Sequence, residues 1–373
     1  MKEVMLILGT RPEAIKMCPL VKELRTRRGI RTSVCVTGQH RQMLDQVLEL
    51  FQIRPDYDLD LMREGQTLHE LTGAVLGGVQ SALDELRPEM LLVHGDTTTS
   101  FAAALAGFYR RIPVGHVEAG LRTHRLDSPF PEEFNRRAVG LVSRYHFAPT
   151  AAAARNLLNE GKDPSSIFVT GNTVVDAMRY TVRDDFSHPE LDWASGGKLI
   201  LLTVHRRENL GEPMRRIFRA LRRALQEHPE CRVLYPVHPN PMVRRIAREE
   251  LGDCPQVHLT EPLDAAACHN FEARCDLCLT DSGGLQEECP AFGCPVLVLR
   301  DTTERPEGVE AGVLRLTGTE EESIYRHVRE LLEDRQAYEK MAHACNPFGD
   351  GLACRRIADV LEFGNCEEWT GAL

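Results

Sequence analysis

Long apolar runs are missing from this chain of 373 residues. No stretch approaches the roughly 20 apolar residues that a membrane helix requires, which excludes a membrane-spanning reading. The start, Met1-Lys2-Glu3-Val4, leads directly into a short strand-like stretch. It lacks the long apolar region and small-residue cleavage site of a secretory signal, so a cytoplasmic location is expected. A basic excess is missing too: 45 Lys and Arg stand against 55 Asp and Glu, a net charge of −10. Proteins that grip nucleic acid by bulk electrostatics are usually basic, so no nucleic-acid partner is expected. A small anionic ligand remains compatible, because a few arginines in a cleft can reverse the local potential. Neither a GxGxxG fingerprint nor a Walker loop is present, and there is no low-complexity tract or short repeat.

The 12 cysteines also lack the spacing of a disulfide framework or a zinc site. Cys275 and Cys278 form one CxxC, and no second follows. A strand there would point residues three apart to opposite faces, a poor geometry for a shared metal. Small reduced core residues are expected, and no metal.

What is present is an ordinary globular composition, 42% hydrophobic and 27% charged, long enough for two domains. Apolar runs at Val4–Leu8, Ser33–Thr37, Met90–His94, Ile112–Val117 and Tyr145–Phe147 read as strands. Helical patterns separate them at Pro12–Arg28, Gln42–Phe51, Leu68–Glu85, Ser100–Tyr109 and Glu132–Val142. The second half repeats the alternation, with strands at Lys198–Val204, Cys231–Val237, Val257–Thr260, Cys275–Thr280, Pro295–Leu299 and Val313–Leu316. A C-terminal helical stretch from Glu320 to about Phe363 breaks at Asn346–Gly349. This is the pattern of an α/β protein with two doubly wound parallel sheets. The expected division is 1–170, 171–355 and a C-terminal helix or tail, 356–373, packing back on the first domain.

Open α/β sheets bind ligands outside the carboxyl ends of their strands, which directs attention to the residues there. Arg11 and Lys16 follow the first strand, at the positive end of a helix; they suit an anion, or pair with Glu13. Asp96, after His94-Gly95, is either a helix N-cap or a carboxylate aimed at a ligand. Glu118 follows His116-Val117 and could pair with Arg122. Glu132 opens a helix after Ser128-Pro129-Phe130-Pro131. Three acids at such positions suggest general acid–base chemistry. In the second half His205-Arg206-Arg207 and His238 end strands. Thr280-Asp281-Ser282-Gly283-Gly284 turns a strand into a helix, where backbone N–H groups can approach a phosphate. Glu288, six residues past Ser282, could accept ribose hydroxyls, and Arg300 and Arg305 follow the next strand.

The ordered set Gly9-Thr10-Arg11-Pro12-Glu13, His94-Gly95-Asp96, Gly115-His116-Val117-Glu118-Ala119-Gly120, Pro131-Glu132-Glu133, His205-Arg206-Arg207-Glu208-Asn209, Ser282-Gly283-Gly284 and Asp301-Thr302-Thr303-Glu304-Arg305-Pro306 resembles the bacterial non-hydrolysing UDP-N-acetylglucosamine 2-epimerases. The resemblance runs from residue 4 to about residue 358. It implies a GT-B-like fold of two Rossmann-like domains facing an interdomain cleft. It implies reversible conversion of UDP-N-acetylglucosamine to UDP-N-acetylmannosamine through UDP and a 2-acetamidoglucal, without metal or other cofactor. By motif, Arg11, Lys16, Asp96, Glu118, Glu132 and His205 fall on active-site positions. Ser282, Gly283, Gly284, Glu288 and Arg305 fall on UDP-binding positions. Gln39, Gln42, Glu132, Arg206 and His238 match an allosteric substrate site, with Gly65 where some members carry a basic residue. Leu263 and Cys268 stand at uracil-contacting positions where the family often has a glutamine or leucine and a phenylalanine. A homodimer that supplies cell-envelope polysaccharide is implied as well. The rival readings are a hydrolysing 2-epimerase, a sugar-nucleotide glycosyltransferase and a UDP-sugar sensor.

Overall fold

The structure is a computed structural model. It describes residues 1–371 except Gln39, His40 and Glu64, and leaves out the side chains of Arg41, Gln42 and Met43. The chain forms two compact units, Met1–Tyr180 joined by the segment from Phe348 onward, and Thr181–Pro347.

The first unit is built on strands β1 (Lys2–Leu8), β2 (Ile30–Val36), β3 (Tyr57–Asp58), β4 (Met90–His94), β5 (Val114–Val117), β6 (Ser143–Ala148) and β7 (Ile167–Val169). They form one sheet in the order β3-β2-β1-β4-β5-β6-β7, every pairing parallel. Strand β1 shows why its sequence is an unbroken apolar run. Val4, Leu6 and Leu8 enter the core on one face, and Met5 and Ile7 enter a second core on the other. A strand covered by helices on both faces has no polar side to show.

The second unit repeats the plan with β8 (Lys198–Thr203), β9 (Cys231–Pro236), β10 (Val257–Thr260), β11 (Leu277–Thr280), β12 (Val296–Val298) and β13 (Leu314–Leu316). Their order is β10-β9-β8-β11-β12-β13, again with parallel pairings. In both sheets the order reverses beside the unit's first strand, between β1 and β4 and between β8 and β11. Ligands bind at such switch points in doubly wound sheets.

Three differences from the sequence expectation have local causes. Strands β3 and β7 went unanticipated because two and three residues are too short to show a period. The expected strand start at Ile112 moves to Val114, since Arg111 is held at φ 57° and Pro113 has no N–H to give. The C-terminal helical stretch breaks a first time at Asp334, whose side chain accepts from Gln336 N at 2.9 Å and Ala337 N at 3.1 Å and so starts a new helix, Arg335–Ala342.

The last helix, Ala353–Phe363, belongs to the first unit. Cys354, Ile357, Ala358, Val360 and Leu361 bury into the core beside β1. Arg27 reaches Asp359 at 2.6 Å, and Lys2 Nζ donates to Leu361 O at 3.2 Å. Asp176 caps the helix, accepting from Ala353 N at 3.1 Å and Cys354 N at 2.9 Å.

Burial pushes the Asp176 carboxyl up to about 6, against the pull of those two N–H groups. A carboxyl raised on folding contributes stability below its unfolded pKa of about 3.9, lost as pH rises through the folded value. Asp176→Asn cannot ionise. Its urea midpoint relative to the parent is expected to rise between pH 4 and pH 7; a constant difference across that window would remove Asp176 from the pH dependence.

Candidate active site

In the first unit the site grows from a buried acid. Thr10 and Glu13 form a capping box at the start of helix Arg11–Arg25. Glu13 Oε2 accepts from Gly9 N at 3.0 Å and Thr10 N at 2.7 Å. Its other oxygen accepts from Thr97 Oγ1 at 2.7 Å and Ser100 Oγ at 2.9 Å. One carboxylate therefore locks the turn after β1 to the turn after β4. Gly9 is required there: a Cβ would stand 2.4 Å from the hydroxyls of both Thr37 and Thr99.

That arrangement overturns two of the simpler readings. Lys16 does not pair with Glu13; it pairs with Glu118. Asp96 is not the N-cap of helix Thr98–Tyr109. Thr97 is, accepting from Ser100 N at 3.0 Å. Asp96 instead pairs with Arg136, while Asn135 Nδ2 donates to the Asp96 carbonyl at 2.9 Å. The pairing of Glu118 with Arg122 is also absent: Arg122 is held by Glu160 at 2.7 and 2.9 Å.

Glu118 is the centre of this group. Its backbone lies at φ 62°, a left-handed conformation that a non-glycine residue adopts at a cost of order 1–3 kcal/mol and that clusters at functional sites. Its carboxylate meets Lys16, Asn172 Nδ2 at 2.9 Å and His94 Nε2 at 3.7 Å. Burial holds the His94 imidazole down at about 4, against the attraction of Glu118, so His94 is neutral at pH 7. Burial likewise raises the Asp96 carboxyl above the usual carboxylate range; Arg136 opposes the rise, and Glu118 and Glu132 add to it. The three acids thus share one electrostatic environment. Glu132 is half-buried in the first turn of helix Glu132–Val142, and Arg11 opens helix Arg11–Arg25. Beside Glu132, the buried Glu133 accepts from Thr123 N at 3.0 Å and His124 N at 3.2 Å and fixes the loop leading into that helix.

In the second unit Asp281 plays the part of Glu13. Fully buried at the end of β11, it accepts from His205 N at 2.9 Å, Arg206 N at 2.9 Å and Asn209 Nδ2 at 2.9 Å. It ties the turn after β8 to the turn after β11. Arg206 Nε donates to the Asp281 carbonyl at 3.2 Å, which aims Arg206 at the start of helix Gly283–Glu288. A Cβ on Gly283 would lie 3.5 Å from the Arg305 guanidinium and 3.6 Å from that of Arg206. Two arginines therefore converge on a Ser-Gly-Gly turn whose Ser282 makes no side-chain cap. Arg305 is braced by the buried Glu287 at 2.7 Å.

His205 stacks on the exposed His238, ring centroids 5.2 Å apart, and burial lowers the His205 pKa, against Asp281. Glu288 folds back so that its Oε1 would be 3.4 Å from a Cβ on Gly284. Cys268 donates to the buried Glu272 at 3.1 Å. Arg300 is bound to Glu304 at 2.8 Å and Glu208 at 3.1 Å. Gln39 and the side chain of Gln42 lie outside the described residues.

Sequence reasoning passed over Glu13, Asn172, Arg136 and Asp281. The spacing Thr10-x-x-Glu13 is a capping-box signature and could have flagged the first. Asp281 stood in the quoted strand-end motif with no signal separating it from a cap. Nothing local marks Asn172, which reaches Glu118 from 54 residues away.

A family model described as UDP-N-acetylglucosamine 2-epimerase matches residues 22–362. The UDP-N-acetylglucosamine 2-epimerase of Bacillus subtilis is 57% identical over 361 residues, 97% of this chain and 95% of that protein. A Staphylococcus aureus MnaA–UDP co-structure is similar at TM-score 0.91 and 48% identity, covering 98% of this chain and 97% of that one. The Neisseria meningitidis UDP-GlcNAc 2-epimerase bound to UDP-GlcNAc is similar at TM-score 0.88 and 44% identity, covering 96% and 99%. With strand-end acids, a two-arginine turn and full-length similarity in agreement, this chain belongs to the UDP-N-acetylglucosamine 2-epimerase family, of GT-B-like fold.

Proposed function

We propose that the protein interconverts UDP-N-acetylglucosamine and UDP-N-acetylmannosamine by eliminating UDP to 2-acetamidoglucal and adding it back. The observation that carries this reading is Glu118, at a left-handed backbone conformation with its carboxylate held by Lys16 and Asn172, beside the raised carboxyl of Asp96. A site that only bound a nucleotide sugar would have no use for clustered acids. The described relatives bound to UDP and to UDP-GlcNAc support the substrate class.

The chemistry explains the residue types. The hydrogen on sugar carbon-2 has no adjacent carbonyl and is not acidic. Breaking the anomeric carbon–oxygen bond first gives oxocarbenium character, after which carbon-2 releases a proton readily. The departing UDP gains negative charge, which Arg206, Arg305 and the Ser282-Gly283-Gly284 turn stabilise, with Arg11 and His205 assisting near the diphosphate. Glu288 accepts the ribose hydroxyls. Asp96, Glu118 and Glu132 form the acid–base set that takes the carbon-2 proton and returns one to the opposite face. A carboxyl raised by burial, as Asp96 is, holds a proton more readily than an unshifted one, as a general acid must. Within the same proposal the protein is a cytoplasmic homodimer feeding cell-envelope polysaccharide synthesis, and Gln39, Gln42, Glu132, Arg206 and His238 serve a second, regulatory substrate site.

Proton and phosphorus NMR in deuterated water, with UDP-N-acetylglucosamine as substrate, tests the reaction. UDP-N-acetylmannosamine carrying deuterium at carbon-2, with little free UDP, is the expected result. Free N-acetylmannosamine with stoichiometric UDP would establish the hydrolysing reaction instead. In the same assay Glu118→Gln should lower turnover by about 10²–10⁴-fold while leaving UDP affinity within a few-fold; undiminished turnover removes Glu118 from the mechanism. Asp281→Ala leaves three donors at the turn after β8 without their acceptor, a cost of about 1–3 kcal/mol. Calorimetric titration with UDP should show affinity at least about tenfold weaker; an unchanged Kd would separate that turn from the nucleotide.

A further inference from the structure

Three cysteines converge in the second unit, away from any role in the proposed reaction. Cys275, Cys289 and Cys294 are buried, and their Sγ atoms lie within 4.8 Å of one another. The Cys275 and Cys294 sulfurs are 3.3 Å apart. Cys278, also buried, lies in β11 and is not one of this group. The strand begins later than the sequence suggests, and Cys275 precedes β11 rather than lying in it. Its direction is set instead by the turn after helix Ala265–Glu272, where its N–H donates to Phe271 O at 2.8 Å. Cys289 follows directly on helix Gly283–Glu288, and Cys294 precedes β12. Three separate pieces of backbone therefore deliver sulfur to one buried point.

We propose that Cys275, Cys289 and Cys294 form a three-thiolate structural site for a thiophilic divalent cation, zinc being the probe. In tetrahedral Zn–thiolate geometry with bonds of about 2.3 Å, ligand sulfurs stand about 3.8 Å apart. The present spacings, 3.3 Å for one pair and up to 4.8 Å for the group, bracket that value, so side-chain rotations of about half an ångström to one ångström suffice. Each Zn–S bond forms as its thiol gives a proton to solvent; no electron is transferred and no oxidant is needed. The ion would pin the end of the UDP-proposed helix to the starts of β11 and β12. Its worth would be rigidity beneath the Ser-Gly-Gly turn rather than chemistry. The other nine cysteines join no group of three potential ligands among the described residues.

The full chain, purified untagged under a phosphine reductant, is loaded with equimolar zinc, desalted and assayed by elemental analysis. One zinc per chain is expected. Cobalt in its place should give thiolate-to-cobalt charge-transfer absorption and tetrahedral visible bands. Cys289→Ala and Cys294→Ala should each lose the bound zinc, whereas Cys231→Ala, a buried cysteine outside the group, should keep it. Stripping the ion should lower Tm by several degrees. Absence of retained zinc in the parent, zinc retained by both group variants, or cobalt bound without thiolate absorption would each overturn the proposal. So would two fewer titratable thiols in the denatured, unreduced parent, which would mark a Cys275–Cys294 disulfide instead. The parent's cobalt spectrum decides the matter even where a variant fails to fold.

Discussion

One buried carboxylate in each sheet organises everything that faces a ligand. Glu13 joins the turn after β1 to the turn after β4, and Asp281 joins the turn after β8 to the turn after β11. These are the same two places in two copies of one topology, the point where strand order reverses. At such a point two neighbouring strands send their connections in opposite directions, leaving a gap and a set of unpaired backbone N–H groups. A buried acid satisfies those donors without a side chain long enough to fill the gap. The cost of burying the charge is offset because every oxygen is met by N–H or O–H groups. The gap is then held open by the interaction that satisfies its rim.

With the structural acids identified, the remaining ones stand apart by their partners. Glu13 takes two of its donors and Asp281 most of its donors from backbone, so they define where chain segments go. Glu118 and Asp96 take theirs from Lys16, Asn172 and Arg136 side chains, which can shift when a substrate arrives. Asp96 is raised chiefly by burial, despite a guanidinium beside it, and Glu118 and Glu132 add to the rise. Acids whose charges push a buried neighbour toward protonation are unfavourable for folding alone. Their concentration on one sheet edge, with Glu118 itself at φ 62°, is the local conflict expected where function overrides stability.

How much of this was legible depends on distance along the chain. Both doubly wound sheets follow from apolar runs alternating with helices, because a parallel strand advertises its burial in consecutive residues such as Val4 to Leu8. Strand-end positions of Asp96, Glu118, His205 and Gly283 were legible for the same reason. Partners were not. Lys16 meets Glu118 across 102 residues, Arg122 meets Glu160 across 38, and Asp281 meets His205 across 76. In each case a nearer opposite charge or cap offered a simpler account, and only tertiary packing decides between them. The cysteines show the converse: the strand-face rule was applied to Cys275, which stands before β11 begins at Leu277, yet Cys278 does stay out of the group.

Net charge, finally, is a poor guide to the sign of a ligand. The chain carries −10 overall, yet the Arg206 and Arg305 guanidiniums both come within 3.6 Å of where a Cβ on Gly283 would stand. Arg305 is braced by Glu287 at 2.7 Å, and Arg206 is turned by the Asp281 carbonyl rather than by a carboxylate. Each arginine is therefore held by a protein group as well as facing Gly283. A glycine at that spot leaves room for an anion to approach the backbone where both positive charges are already fixed. The ordering entropy of two long side chains has been met on folding, so a diphosphate would gain their attraction without bearing the cost of arranging them.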